Sequence, residues 1–188
     1  DLSPFPPISN TKPTLSSSCA KTNEEKHKLK IMESIIINMI FFFIFGNTLE
    51  NELGENWVLV SFFVGGVTSF MLSTLYLGFE VPMIVASAAI FTLTAIVMLL
   101  KPLKFSFFFL MPLGLVALIY FTYNLLAVQM GVQGNVSYIG HIIGFAVGVP
   151  FGIASSEDWH KNLLITVLLF MIYLVIVYFL LPSIGVFL

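Results

Sequence analysis

Arginine is absent from the 188 residues, cysteine occurs once, and only 10% of the side chains are charged. Soluble domains carry about 25% charged and about 45–50% apolar residues. Here 58% of the residues are hydrophobic and the mean hydropathy is +0.99. The outer shell of a soluble domain must be polar, and a chain of this size has too few polar residues to hide so much apolar surface. A water-soluble enzyme, a nucleic-acid partner and a wholly disordered chain are therefore excluded. Five of the eight lysines fall in the first thirty residues, and the net charge of −2 says little about partners. Cys19 alone forms no intrachain disulfide and reads as a spectator. One cysteine and three scattered histidines, His27, His141 and His160, make no ligand cluster. No metal and no other cofactor is expected, and His27 and His160 read as exposed bystanders.

What the chain does have is long apolar runs. Residues 1–30 are rich in Pro, Ser, Thr and Lys without apolar periodicity, and are expected to be a flexible tail or loop. They lack the apolar core of a signal peptide. A membrane span needs about 20 apolar residues, because the hydrocarbon core is about 30 Å thick and a helix rises about 1.5 Å per residue. Six stretches meet or approach this, at 31–46, 57–77, 83–100, 107–128, 137–154 and 163–181. Continuous rather than alternating apolar runs favour helices over a barrel. The expectation is an all-α, multi-pass membrane bundle of about six helices. Its core would span 31–154, and 155–188 would add a loop and one further helix.

Alternation then assigns sides. With the N-terminal segment on side X, the loops 47–56, 101–106 and 155–162 lie on side Y. The loops 78–82 and 129–136 return to X. Lys101, Lys104 and Lys161 fall on Y, and the two X loops carry no lysine. The positive-inside rule places Y in the cytoplasm, although Lys26, Lys28 and Lys30 precede the first run on X.

Polar side chains inside apolar spans are costly and need a reason. Asn38 lies two turns into the first run, Ser87 one turn into the third and His141 one turn into the fifth. All three runs enter from X, which sets the three side chains roughly 5–10 Å below one surface. A serine, a histidine and an amide at one depth are the parts of an acyl-transfer site. Each residue alone also fits a packing position or an interhelical hydrogen bond. His141 is followed by Gly144, Gly148 and Gly152 at four-residue spacing, a smooth stripe that lets another helix approach. Ala86, Ala88 and Ala89 form a small patch around Ser87. Close approach of the third and fifth runs would bring Ser87 to His141.

Three motifs between about Ser34 and Gly152 resemble the rhomboid family of intramembrane serine proteases. IFGNTLENELG resembles the family's G-x-x-x-E-x-x-x-G loop, through Gly46, Glu50 and Gly54. VASAAIF resembles its G-x-S-G-A stretch, with Ser87 at the nucleophile. YIGHIIGFAVG resembles its A-H-x-x-G-x-x-x-G stretch, with His141 at the base and Gly144 and Gly148 after it. The 54-residue gap from Ser87 to His141 fits the same pattern. On this register the five runs from 31 to 154 correspond to family spans two to six. The last run is the extra C-terminal span of some members. The family's first span would precede Asp1, and residues 1–30 would stand in the loop that follows it.

The resemblance implies a Ser87–His141 dyad that cleaves single-span membrane proteins within the lipid bilayer. It implies an oxyanion hole from Asn38, with Ser34 as an auxiliary donor where the family has a histidine. Phe91 would pack under the histidine ring, and Glu50 would be structural. Val85 and Ala88 replace family glycines beside Ser87, and the bulk of Val85 is expected to press on the contact with the fifth run. The alternative is a catalytically inactive relative that binds or chaperones membrane-protein clients.

Overall fold

The structure is a computed structural model and describes residues 14–78, 85–131 and 135–180. It contains two compact units, Asp1–Ile37 and Asn38–Leu188. In the first, residues 14–37 are helical and belong to α1 (Thr14–Phe41). This corrects the tail expected over 1–30; residues 1–13 lie outside the described residues. The helix begins directly after Pro13, and the next proline along the chain is Pro82. The Ala, Lys, Glu and Leu residues that follow are good helix formers despite their polarity. The unit boundary accordingly falls inside α1, not at residue 30, and the C-terminal helix belongs with the rest of the second unit.

In the second unit, α1 passes through a π-helical turn, Phe42–Gly46, into α2 (Asn47–Leu53). The stretch expected as a loop at 47–56 is thus helical except at Gly54. There the backbone takes φ 90° and ψ 165°, a region essentially reserved for glycine. The chain turns and enters α3 (Glu55–Leu77). Next come α4 (Val85–Leu100), α5 (Leu113–Gln129), α6 (Asn135–Ser155) and α7 (Trp159–Val175), which continues as a π-helical turn, Ile176–Leu180.

A helix expected from residue 107 does not form there. Instead β1 (Phe105–Ser106) pairs antiparallel with β2 (Met111–Pro112), and α5 starts only at Leu113. Pro112 forces the residue before it out of the helical region, and Leu110 sits at φ 55°. The apolar run was legible, but its helical part begins after the proline.

Four helical stretches are long and apolar enough to cross a membrane: Met32–Leu53, Glu55–Leu75, Tyr138–Ser155 and Trp159–Phe179. The other two expected crossings, α4 and α5, have 16 and 17 residues. At about 1.5 Å per residue their described residues reach about 24–26 Å. α4 is interior: every residue from Ser87 to Leu99 is buried. Its Ile90, Leu93, Ile96 and Val97 pack with Phe45 and Leu49 in the main apolar core.

Two neighbours reach α4 through glycines. A Cβ at Gly144 of α6 would fall on the Ala88 carbonyl, and one at Gly148 on the Thr92 carbonyl. Thr92 Oγ1 donates to the Gly144 carbonyl at 2.8 Å, tying the two helices where their backbones meet. On the α3 side, a Cβ at Gly66 would stand 3.2 Å from Ala89 Cβ and 3.4 Å from Val85 Cγ1. Val85 therefore presents a methyl to α3. The expected pressure on the α4–α6 contact is corrected: that contact forms with Val85 in place.

At the other end of α4, Asn162 Nδ2 donates to the Leu99 carbonyl at 2.7 Å and to the Leu100 carbonyl at 3.2 Å. These carbonyls end a helix and have no partner within it. Lys101 Nζ pairs with Glu52 at 3.0 Å. Lys161 bonds Asp158 at 2.7 Å and holds its carboxyl below the ordinary carboxylate range. All these contacts join segments that alternation puts on side Y.

Candidate active site

The α4–α6 contact sets the geometry. Ala88, whose carbonyl faces Gly144, is the residue after Ser87, and Gly144 lies one turn after His141. Ser87 thus lies one residue, and His141 three residues, before the level at which the two backbones meet. Phe91 follows Ser87 by one turn on the same face of α4. Its ring stacks on the His141 imidazole with centroids 4.4 Å apart and planes 10° from parallel. The aromatic expected beneath the histidine is therefore in contact with it.

Ser87 is buried at 8% exposure. His141 Nε2 is also buried and has no hydrogen-bond partner among the described residues. Catalytic hydrogen bonds in unliganded sites are often long and tighten only when substrate is bound. The Ser69 and Ser73 hydroxyls of α3 are the other buried side-chain polar atoms without a partner among the described residues.

The opposite edge of the imidazole is occupied. His141 Nδ1 lies 2.7 Å from Asn124 Oδ1. Asn124 comes from α5, is 2% exposed, and donates through Nδ2 to the Tyr120 carbonyl at 2.6 Å. The sequence reading missed this residue. The signal was present: Asn124 is an amide inside an apolar run. Its helix enters from Y, so its depth matches that of His141 only when counted from the helix's far end. Counted from the X end, Asn124 is five residues before Gln129 and His141 six after Asn135. At about 1.5 Å per residue both lie roughly 8–9 Å deep.

The remaining expected residues fall as follows. Asn38 is half-buried on α1 at the start of the second unit. Ser34 belongs to the first unit and is half-buried. Glu50 is exposed on α2, while Gly46 is buried with Val58 Cγ1 3.8 Å from where its Cβ would be. Gly54 supplies the break after α2. The motif expected as a loop is thus a helical turn closed by glycine.

Exposed apolar side chains cover α7, of which only 6% of the apolar window is buried, and recur along α3. Helices that bury polar groups inward and show apolar faces outward define an integral, multi-pass, all-α membrane protein. The family model for the Rhomboid domain matches residues 32–158, more than half of the chain. The chain belongs to the rhomboid family. Comparison with curated proteins and with solved structures gives no match.

Proposed function

We propose that this rhomboid protein is an intramembrane serine endopeptidase with Ser87 as nucleophile and His141 as general base. The observation that carries this reading is the His141 ring stacked on Phe91 one turn from Ser87, with Nε2 uncommitted. Membership of the family supports substrates that are membrane proteins, and single-span chains entering from the bilayer fit the apolar exterior.

Ser87 Oγ attacks the carbonyl carbon of the scissile peptide, and its proton passes to His141 Nε2. The negative charge that builds on the carbonyl oxygen is received by the Asn38 amide and the Ser87 backbone N–H. His141 then gives the proton to the leaving amine, and the C–N bond breaks. A water enters from side X, loses a proton to His141 and attacks the acyl ester. Collapse of the second tetrahedral species frees the acid and returns the proton to Ser87. The ring is held by packing on Phe91, and no charged group is needed beside it. With Y in the cytoplasm, cleavage occurs toward the opposite face of the membrane.

A fluorophosphonate tests the reading, because it bonds covalently only to an activated hydroxyl. The folded protein in lipid or detergent is expected to label, Ser87→Ala to abolish labelling, and His141→Ala nearly to abolish it. The open Nε2 also suits the alternative, a client-binding relative without a working dyad. Absence of labelling in the folded protein decides for that alternative, and partners would then be sought by co-purification of membrane proteins.

A further inference from the structure

We propose that Asn124 is a third, positioning member of the site: it holds His141 in the tautomer and orientation that a general base requires. The inference rests on the protease reading for its catalytic consequence, but its structural content stands on hydrogen-bond geometry alone.

An amide side chain has a donor end and an acceptor end, and here the donor end is committed. Asn124 Nδ2 donates to the Tyr120 carbonyl of its own helix at 2.6 Å, which turns Oδ1 toward α6. Oδ1 has only lone pairs to offer. The imidazole nitrogen 2.7 Å away must therefore be the one that carries hydrogen, so Nδ1–H donates to Asn124 Oδ1. A neutral imidazole has one N–H and one lone pair, and the lone pair is left at Nε2. Nε2 is the buried nitrogen without a partner. The other tautomer would set two lone pairs against each other, and turning the amide to relieve this would break the bond to Tyr120.

Phe91 and Asn124 constrain different motions. Stacking within 10° of parallel fixes the plane of the ring but leaves it free to rotate within that plane. The hydrogen bond from Nδ1 removes that rotation and points the opposite edge away from α5. A neutral amide achieves this without burying a charge in an apolar interior, where an ion is expensive. Three helices therefore contribute: α4 the nucleophile and the stacking ring, α6 the imidazole, α5 its orientation. The logic of nucleophile, base and orienting group recurs on unrelated folds, including arrangements whose third member is an asparagine.

The test reads the tautomer directly and the catalytic effect separately. Nitrogen-15 spectra of the histidine-labelled, unmodified full chain are expected to show His141 with hydrogen on Nδ1 and a bare Nε2. Asn124→Leu is expected to lose that single form, and to slow fluorophosphonate labelling by roughly 10–10²-fold. That is part of the roughly 10²–10⁴ that a positioned base contributes. Asn124→Asp keeps an acceptor of the same size and is expected to keep hydrogen on Nδ1 and to label faster than Asn124→Leu. Hydrogen on Nε2 in the unmodified protein overturns the proposal without any variant. So does folded Asn124→Leu that keeps both the tautomer and the labelling rate. If Asn124→Leu does not fold, failure of Asn124→Asp to keep hydrogen on Nδ1 overturns it, and retention supports it. Should the unmodified protein show hydrogen on Nδ1 yet never label, the protease reading falls and with it the catalytic role of Asn124. The assignment of the hydrogen bond would remain.

Discussion

Asn38→Ala removes the amide assigned to the oxyanion and is expected to lower turnover by roughly 10²–10³-fold, the effect of losing one such donor. Thermal stability in detergent should change little, because Asn38 is only half-buried. Full turnover in folded Asn38→Ala would remove it from the oxyanion hole. The other residues of the site differ in how readable they were. Ser87, Phe91 and His141 could be picked out because spacing on a helix is a property of the sequence: Phe91 had to lie one turn from Ser87. That its ring meets His141 depends on a second helix, and only the glycine stripe hinted at the approach. Asn124 depends on a third helix running the other way. Its relation to His141 is a matter of equal depth, and depth is visible in a sequence only once both helix ends are placed.

The interior helix α4 is gripped by surfaces that cannot tolerate even one added carbon at some levels. A Cβ at Gly144 would collide with the Ala88 backbone, which has no flexible end to move aside. At Gly152 the nearest atom, 2.8 Å away, is the Leu99 Cδ1, the tip of a side chain, and Leu99 Cβ and the Ile96 Cα follow at 3.1 and 3.3 Å. Gly144→Ala is therefore expected to destabilise by about 1–3 kcal/mol, the usual cost of overpacking. Gly152→Ala should cost less than Gly144→Ala, since no backbone atom stands within 3.0 Å of the new carbon and alanine gains up to about 1 kcal/mol of helix propensity over glycine. Melting temperatures in one detergent check the order; equal shifts would contradict the contact. The spacing of these glycines was readable, as were six apolar segments. Their ends were not. Gly54 closes α2 by conformation, Pro112 delays α5 by sterics, and α1 extends back to Thr14 through polar helix formers whose pattern carries no apolar periodicity to read.

On the scale of the whole molecule, alternation of the helices predicts which ends share a face. Met130 follows α5 and is 78% exposed; Leu103 follows α4 and is 60% exposed. With Cys19 replaced by serine, Met130→Cys and Leu103→Cys are expected to react with an impermeant thiol reagent from opposite sides of sealed vesicles. Labelling of both from one side would undo the span order and the common depth of the site. The ion pair between Lys101 and Glu52 agrees with that order, because it joins two ends that must lie together. The class of the protein was readable from composition alone. Its interior was not: α4 and α7 have similar apolar content, yet one is wrapped by protein and the other almost bare. Which is which follows from the glycines of their neighbours rather than from their own residues. The bond from Asn162 to the end of α4 also sets a clock. The two partners are separated by 63 residues, and the donor lies four residues beyond the stretch matched by the family model. Synthesis at about 5–20 residues per second leaves the last carbonyls of the central helix waiting roughly 3–13 s for their cap. Until α7 arrives, the end of the central helix in a nascent chain lacks this partner, and the interval scales with the 63 residues that separate the two.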